Sequence, residues 1–430
     1  LRIATVEKIH EALGEEVEIQ GWLYNKRPGG KMNFVLLRDG TGIIQCILSR
    51  SGVPEDLFEA CETLPQESSL VFCGRIRKDE RAPGGYEMEV TGGRILQRAE
   101  SYPITPKEHG VAFLLSHRHL WIRSKKQHAV LRIRAEVMNA CRKFFDDRGF
   151  VLADTPIFTP APCESTSTLF ETDYFEGKAY LTQSGQLYNE ATCMAFGKSY
   201  CLGPSFRAEK SKTRRHLTEF WQVEPEVAFA ELDDLLALAE DLVTCLVESV
   251  LANRAMELGV LERDTELLEK VAPPFPRVLY SEAVNILREK GVPVEEGDDF
   301  GAPHETELSN QFDTPFFVIK YPAQTKPFYM KRDPGDNETA LCMDCLAPEG
   351  YGEIVGGGQR EDDLDVLIKR LEEHNLPRKD FEWYLDLRRY GSVPHGGFGL
   401  GIERVVAWIG GIHHIRETIP FPRTLDRVYP

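Results

Sequence analysis

The chain has 430 residues, 42% of them hydrophobic and 28% charged, with a formal net charge of -17. That length exceeds one ordinary core and predicts two or three domains, while the composition excludes a disordered or low-complexity chain. No apolar run approaches the roughly 20 residues that span a bilayer, no secretory core opens the sequence, and so acidic a chain repels polyanions except at local basic patches. The expectation is a cytoplasmic protein with no membrane partner.

In chain order, residues 14–97 read as five short strands, EEVEIQGWLYNKR, KMNFVLLRD, GIIQCILSR, SLVFCGRIRK and GYEMEVTGGRILQ, with a helical PEDLFEACETL after the third. Five strands with a helix in that place predict an OB-fold barrel over residues 1–100. SYPITPKEHG breaks both periodicities, so residues 101–127 are expected as a linker or hinge.

From His128 a helix is predicted, with Val130, Ile133, Val137, Cys141, Phe144 and Phe145 on one stripe and Gly149 as its stop. Residues 128–430 then mix strands and helices, an α+β pattern, and 231–253 read as a long amphipathic helix against a sheet. Residues 259–300 carry the weakest pattern and are expected as an insertion. Ten cysteines, mostly in apolar stretches, read as buried thiols; Cys342 and Cys345 lack the second ligand pair that zinc requires.

Three constellations carry chemistry. FRAEKSKTRRHLTEFW, residues 206–221, joins two strands by a basic loop suited to a phosphate chain. HGGFGLGIERVVAWIGG, residues 395–411, sets glycines before a helix that bears Arg404. Glycine lets a ligand approach the backbone, and a guanidinium stacks on flat rings. DCLAPEGYGEIVGGGQRED offers Asp344 and Glu353 as hard oxygen ligands for Mg2+, followed by Arg360.

Together these residues resemble the class II aminoacyl-tRNA synthetases, within them the aspartyl and asparaginyl subgroup, and the resemblance covers nearly the whole chain. The stretch ending GFVLADTP resembles motif 1 (about 130–156), FRAE through VEPEVAF motif 2 (about 201–230), and GFGLGIER motif 3 (about 394–411); QSGQLY, GEIVGGGQR and IPFPR resemble subgroup motifs. The resemblance implies a six-stranded antiparallel catalytic sheet flanked by helices, a homodimer formed through motif 1, and an N-terminal barrel that reads the anticodon.

By the same resemblance Arg207 would hold the α-phosphate and the substrate carboxylate, Glu209 the adenine amino group, and His216 the β- and γ-phosphates of ATP. Phe220 and Arg404 would sandwich the adenine, and Asp344 with Glu353 would hold Mg2+. Gly356 departs from those relatives that carry a Ser there. Glu164 and Gln186 would bind the substrate ammonium. An amino-acid carboxylate is already a nucleophile, so placement against a neutralised α-phosphate suffices without a general base.

Aspartyl members usually read QSPQLYK, the lysine pairing with the substrate carboxylate; here that position is Asn189. Loss of one cation weakens attraction for a carboxylate by about 1–4 kcal/mol. Arg360 could donate to an amide oxygen and Glu224 accept from an amide nitrogen, so the expected substrates are L-asparagine, ATP and tRNA(Asn). The alternatives are an aspartyl or non-discriminating enzyme, or a tRNA-independent relative. In the barrel, Phe34 is expected to stack on an anticodon base and Gln45 to bond a uridine. Lys26, Arg27 and Lys31 would hold the backbone, and Lys212, Arg214 and Arg215 the acceptor end.

Overall fold

Alternation of apolar and polar side chains turns directly into a closed barrel in the N-terminal part. A computed structural model describes residues 1–160 and 169–430, which divide into two units, Leu1–Val111 and Ala112–Pro430. The first contains strands β1 (Glu16–Arg27), β2 (Met32–Arg38), β3 (Ile43–Ser49), β4 (Ser69–Lys78) and β5 (Tyr86–Gln97), with helix α1 (Glu55–Thr63) after the third. β1 pairs with β2 and β4, β3 with β2 and in parallel with β5, and β5 with β4, which closes the ring. Val17, Ile19, Val35, Leu37, Cys46 and Leu48 fall inside with no exposed surface, each burial worth roughly 1.5–3 kcal/mol for the larger side chains. Phe34 and Leu36 therefore lie on the outer face, the choice that alternation alone leaves open.

The second unit is built on an eight-stranded sheet. Its strands are β6 (Val151–Leu152), β7 (Lys198–Phe206), β8 (Glu219–Ala228), β9 (Arg277–Leu279), β10 (Phe316–Ile319), β11 (Cys342–Ala347), β12 (Gly352–Gln359) and β13 (His395–Gly401). In space the order is β9-β10-β11-β12-β13-β8-β7-β6. The six inner strands are antiparallel, as the family resemblance implies, and β6 and β9 add a short parallel edge at each side. Helices α2 (Lys125–Asp147), α4 (Leu232–Asn253) and α6 (Ile402–Gly410) cover one face, where Val130, Ile133, Leu242, Val223, Cys345, Phe398 and Leu400 share a core. A second core on the other side holds Tyr280, Phe316, Val318, Cys342, Tyr384 and Leu385, the last two from α5 (Glu382–Arg389). Cys342 and Cys345 thus sit in separate cores.

Three boundaries differ from expectation. Helix α2 begins at Lys125 instead of His128, because the Ser124 hydroxyl accepts from the Gln127 N–H and caps it. Residues 112–127 are not a hinge: Arg118, 1% exposed, donates to the carbonyls of Glu417, Ile419 and Pro420 and to the Gln127 side chain. A guanidinium that spends four of its five N–H donors this way is a fixed strut. The expected insertion at 259–300 contributes β9 to the central sheet, and Tyr280, Ala283, Val284 and Leu287 just after it to the second core. A three-residue strand is too short to show a period. Among the described residues no helix is long and apolar enough to cross a membrane.

Candidate active site

The open middle of the sheet face opposite α2 and α4 forms the floor of a cleft. In β13, Phe398 and Leu400 point into the first core, so alternation sends Gly397, Gly399 and Gly401 to the cleft face, where they add no side chain. Val223 of β8 likewise faces the core, which turns Gln222, Glu224 and Glu226 toward the cleft. The same logic on β11 buries Met343 and Cys345 and frees Asp344.

At one end Arg207, His216, Phe220, Gln222, Glu353 and Arg404 enclose a pocket. The basic stretch forms a loop from 207 to 218 between β7 and β8, closed at its base by the Arg207 N–H donating to Thr218 at 3.0 Å. Arg207 lies over the Phe220 ring at 5.4 Å. Arg404, on the first turn of α6, donates to both the carbonyl and the carboxylate of Glu353 at 2.9 Å. Burial alone would raise the Glu353 carboxyl, but Arg404, Lys326 and Arg207 outweigh it and hold the group below its ordinary value. Burial, reinforced by Arg404, holds the His216 imidazole below its usual range.

At the other end Ser184, Gln186, Gln222, Glu224, Tyr329 and Arg360 border a cavity of about 160 Å3 that also reaches Arg207, Asp344 and Glu353. Glu224, 6% exposed, accepts from the Ser184 hydroxyl and from the Gly185 N–H at 2.9 Å. Arg360, 2% exposed, pairs with Glu226 and lies over the Tyr329 ring at 5.4 Å. Gln186 donates to Glu190 at 3.0 Å. Between the two ends Asp344 receives Lys326 at 3.0 Å, and burial, against the pull of Lys326, lifts its carboxyl to about 6.

Of the expected site residues, Arg207, His216, Phe220, Gln186, Glu224, Asp344, Glu353, Arg360 and Arg404 line this one cleft. Glu164 lies outside the described residues. Glu209 is exposed and borders neither end; its carboxylate is 3.9 Å from His216 Nε2. Phe220 is covered by Arg207, whereas Arg404 is turned to Glu353.

Two expectations about the cleft and its loop are corrected. Asn189 is no wall of the cavity: fully buried on α3 (Gln186–Phe196), it donates to the Glu224 carbonyl at 2.8 Å and accepts from the Thr192 and Ser199 hydroxyls at 2.8 Å. Its amide is consumed behind the strand that carries Glu224. Arg215 is not free for an acceptor end, since it is buried against Glu305 at 2.9 Å and Thr306 at 2.6 Å; Lys212 alone of the three named loop cations is exposed. Lys326, Tyr329, Ser184 and the buried Glu226 escape sequence reasoning. Lys326 stands before a proline in a stretch without period, and its partner is distant in sequence.

On the barrel, Arg27 and Phe34 face each other across β1 and β2, and Gln45 pairs with Leu36 on the next strand. Phe34, Arg27 and Gln45 share the outer face, with the guanidinium 4.8 Å from the ring and Gln45 donating to Glu87 at 3.2 Å. Lys26 is not available to a phosphate chain, because its ammonium donates to the Cys61 and Glu62 carbonyls at the end of α1.

Comparison with known proteins agrees with this geometry. Residues 111–425 match the family described as tRNA synthetases class II (D, K and N), and residues 17–96 match the OB-fold nucleic acid binding domain. The chain is 59% identical to an asparagine--tRNA ligase of Pelotomaculum thermopropionicum, over 97% of each chain. It resembles the structure of asparaginyl-tRNA synthetase from Pyrococcus horikoshii complexed with asparaginyl-adenylate at 46% identity and a TM-score of 0.94, covering 98% of this chain and 97% of that one. The aspartyl tRNA synthetase of Entamoeba histolytica follows the same fold at 27% identity and a TM-score of 0.84, with 100% and 93% covered. The two matches together span nearly every element described, and the chain belongs to the class II tRNA synthetases of the D, K and N group.

Proposed function

We propose that this chain is an asparagine:tRNA ligase of the cytoplasm, converting L-asparagine and ATP to asparaginyl-adenylate and diphosphate and then esterifying tRNA(Asn) with release of AMP. The observation that carries the choice of amino acid is the pairing of one acceptor and one donor at the closed end of the cleft. Glu224 can take an amide N–H and Arg360 can give to an amide oxygen, and both border the same cavity. An aspartate carboxylate there would face Glu224 at close quarters, and two buried carboxylates repel.

Arg207, which borders both ends, meets the α-phosphate and the substrate carboxylate. The substrate oxygen attacks phosphorus, the bond to the β-phosphate oxygen breaks, and diphosphate leaves. Arg207 offsets the charge gathered on the α-phosphoryl oxygens, and His216 faces the outgoing phosphates. Phe220 and Arg404 hold the adenine, the latter after turning from Glu353, while Glu209 closes on its amino group when the loop descends. Gln186, joined by Glu164, takes the ammonium.

The residues also fit Mg2+. Glu353 Oε1 and Asp344 Oδ1 converge over Gly356, where a Cβ would lie 2.8 and 3.3 Å from them, and carboxylate oxygens are the donors this ion prefers. When bound, Mg2+ supplies neutralisation of the phosphate charge.

The barrel serves as the anticodon-binding domain through Phe34, Arg27 and Gln45, and residues 112–430 as the catalytic domain. Exposed Val151, Leu152 and Phe158 support a homodimer through the motif 1 region, which sedimentation giving only a single-chain species would remove. Amino-acid-dependent ATP–pyrophosphate exchange tests the central reading: exchange with asparagine well above that with aspartate is expected, and the reverse order overturns it.

A further inference from the structure

Behind the wall that Arg360 forms stands a carboxylate to which the reading above gives no task. Glu226 has no exposed surface, and its oxygens take Arg360 Nη2 at 2.5 Å and Nε at 3.3 Å. It does not border the cavity, whereas Arg360 does. Gly397 is its direct partner across β8 and β13, where a Cβ would lie 2.1 Å from the Pro225 carbonyl oxygen and 2.5 Å from Glu226 Oε1, so the backbone and the carboxylate together leave room for glycine alone.

The surrounding charges are matched in the same way. Glu190 on α3 receives Arg388 of α5 at 2.8 Å, His395 of β13 at 3.0 Å and the Tyr384 hydroxyl. Glu224 lies two residues along β8 from Glu226. Two buried guanidiniums, Arg360 and Arg388, thus meet three buried carboxylates, Glu190, Glu224 and Glu226, before any substrate enters. A ligand side chain arriving at Arg360 finds a donor whose charge has already been cancelled from behind.

We propose that Glu226 is a specificity-determining residue: by pairing with Arg360 on the side away from the cavity, it leaves a donor for a neutral carboxamide but no net positive charge for a carboxylate. The inference rests on the asparagine reading above and adds a cause to it. Replacing a cation by a neutralised donor is discrimination built against the wrong substrate, which a pocket for two near-isosteric side chains requires. Burial pushes the Glu226 carboxyl above its ordinary range, while the Arg360 guanidinium pulls it back toward the charged form.

The test is pyrophosphate exchange of the full chain with asparagine and with aspartate, for wild type, Glu226→Gln and Glu226→Asp, alongside thermal melts. For Glu226→Gln the ratio of kcat/KM for aspartate to that for asparagine is expected to rise about ten- to hundredfold, as one unit charge several ångströms away at an effective dielectric of about 20 dictates. Glu226→Asp keeps the charge and should keep the ratio near that of wild type, with a raised KM for asparagine. A residue that only props Arg360 would raise KM for both substrates in both variants and leave the ratio flat, which overturns the proposal.

If the melt shows that Glu226→Gln does not fold, Glu226→Met, which is as long and carries no charge, takes its place. The same rise in the ratio is expected, and a flat ratio overturns the proposal. A wild type that exchanges with aspartate and not with asparagine fails on the first measurement, which sinks the substrate reading and this inference with it.

Discussion

The two ends of the cleft handle charge in opposite ways. At the nucleotide end the cations are reachable: Arg404 keeps 22% of its side chain exposed, and the loop that carries Arg207 also displays exposed Lys210 and Lys212. At the side-chain end Glu224, Arg360 and Glu226 are all below a tenth exposed and already paired. The difference follows the ligand. A triphosphate brings its own negative charge and can be met by open cations, whereas a neutral carboxamide needs donors and acceptors in a site with no charge to spare.

That contrast breaks most sharply at Arg207. Arg207 is only partly buried, so its removal should cost little stability but takes away a donor aimed at charge that grows in the transition state. For Arg207→Ala, kcat for exchange should fall about 10²–10³-fold, roughly 2.7–4 kcal/mol, with the melting curve unmoved. Stopped turnover together with lost stability would mean that the nucleotide end is as structural as the other.

A change at the buried end should do the reverse. Asn189→Leu keeps the volume but removes the donor to the Glu224 carbonyl and the acceptor for Thr192 and Ser199. Denaturant melts should show a loss of about 1–3 kcal/mol, the cost of leaving buried polar groups unmatched. The preference for asparagine over aspartate should stay as in wild type, because Asn189 touches the strand and not the cavity. A shift toward aspartate would return Asn189 to the pocket wall.

What the sequence makes legible follows from range. Period-two patterns locate the barrel strands, and the stripe from Val130 to Phe145 identifies α2, because neighbours in sequence decide both; which face of β2 turns inward is left open, since Phe34 and Leu36 are as apolar as Val35 and Leu37. The motif residues were legible through resemblance, and alternation in HGGFGLG explains why Gly399 and Gly401 border the cleft. Arg215 was not legible: a run of charges does not reveal that one of them meets Glu305, ninety residues on, in a buried pair. Lys26 hides in the same manner, since its partners are carbonyls at the end of α1. Asn189 and Glu226 are both placed by cross-element packing: for Asn189 the resemblance implies a ligand contact and the fold supplies a partner instead, and for Glu226 nothing in the sequence announces Arg360 as its partner.

The barrel offers a third, weaker case that sharpens the comparison. Phe34 is half-buried on the outer face, and its ring already carries the Arg27 guanidinium at 4.8 Å. A flat base arriving there would exchange one planar partner for another, and stacking on an aromatic is worth about 1–3 kcal/mol per base. In Phe34→Ala the guanidinium remains and can itself lie against a base, so the loss should sit at the lower end, about 1 kcal/mol, or roughly fivefold in KM for tRNA(Asn). Aminoacylation measured against pyrophosphate exchange reads that loss, because only the former needs the anticodon. An equal fall in both would tie Phe34 to the stability of the barrel; a larger fall in charging, deepened by Arg27→Ala, would make the two residues one stacking platform.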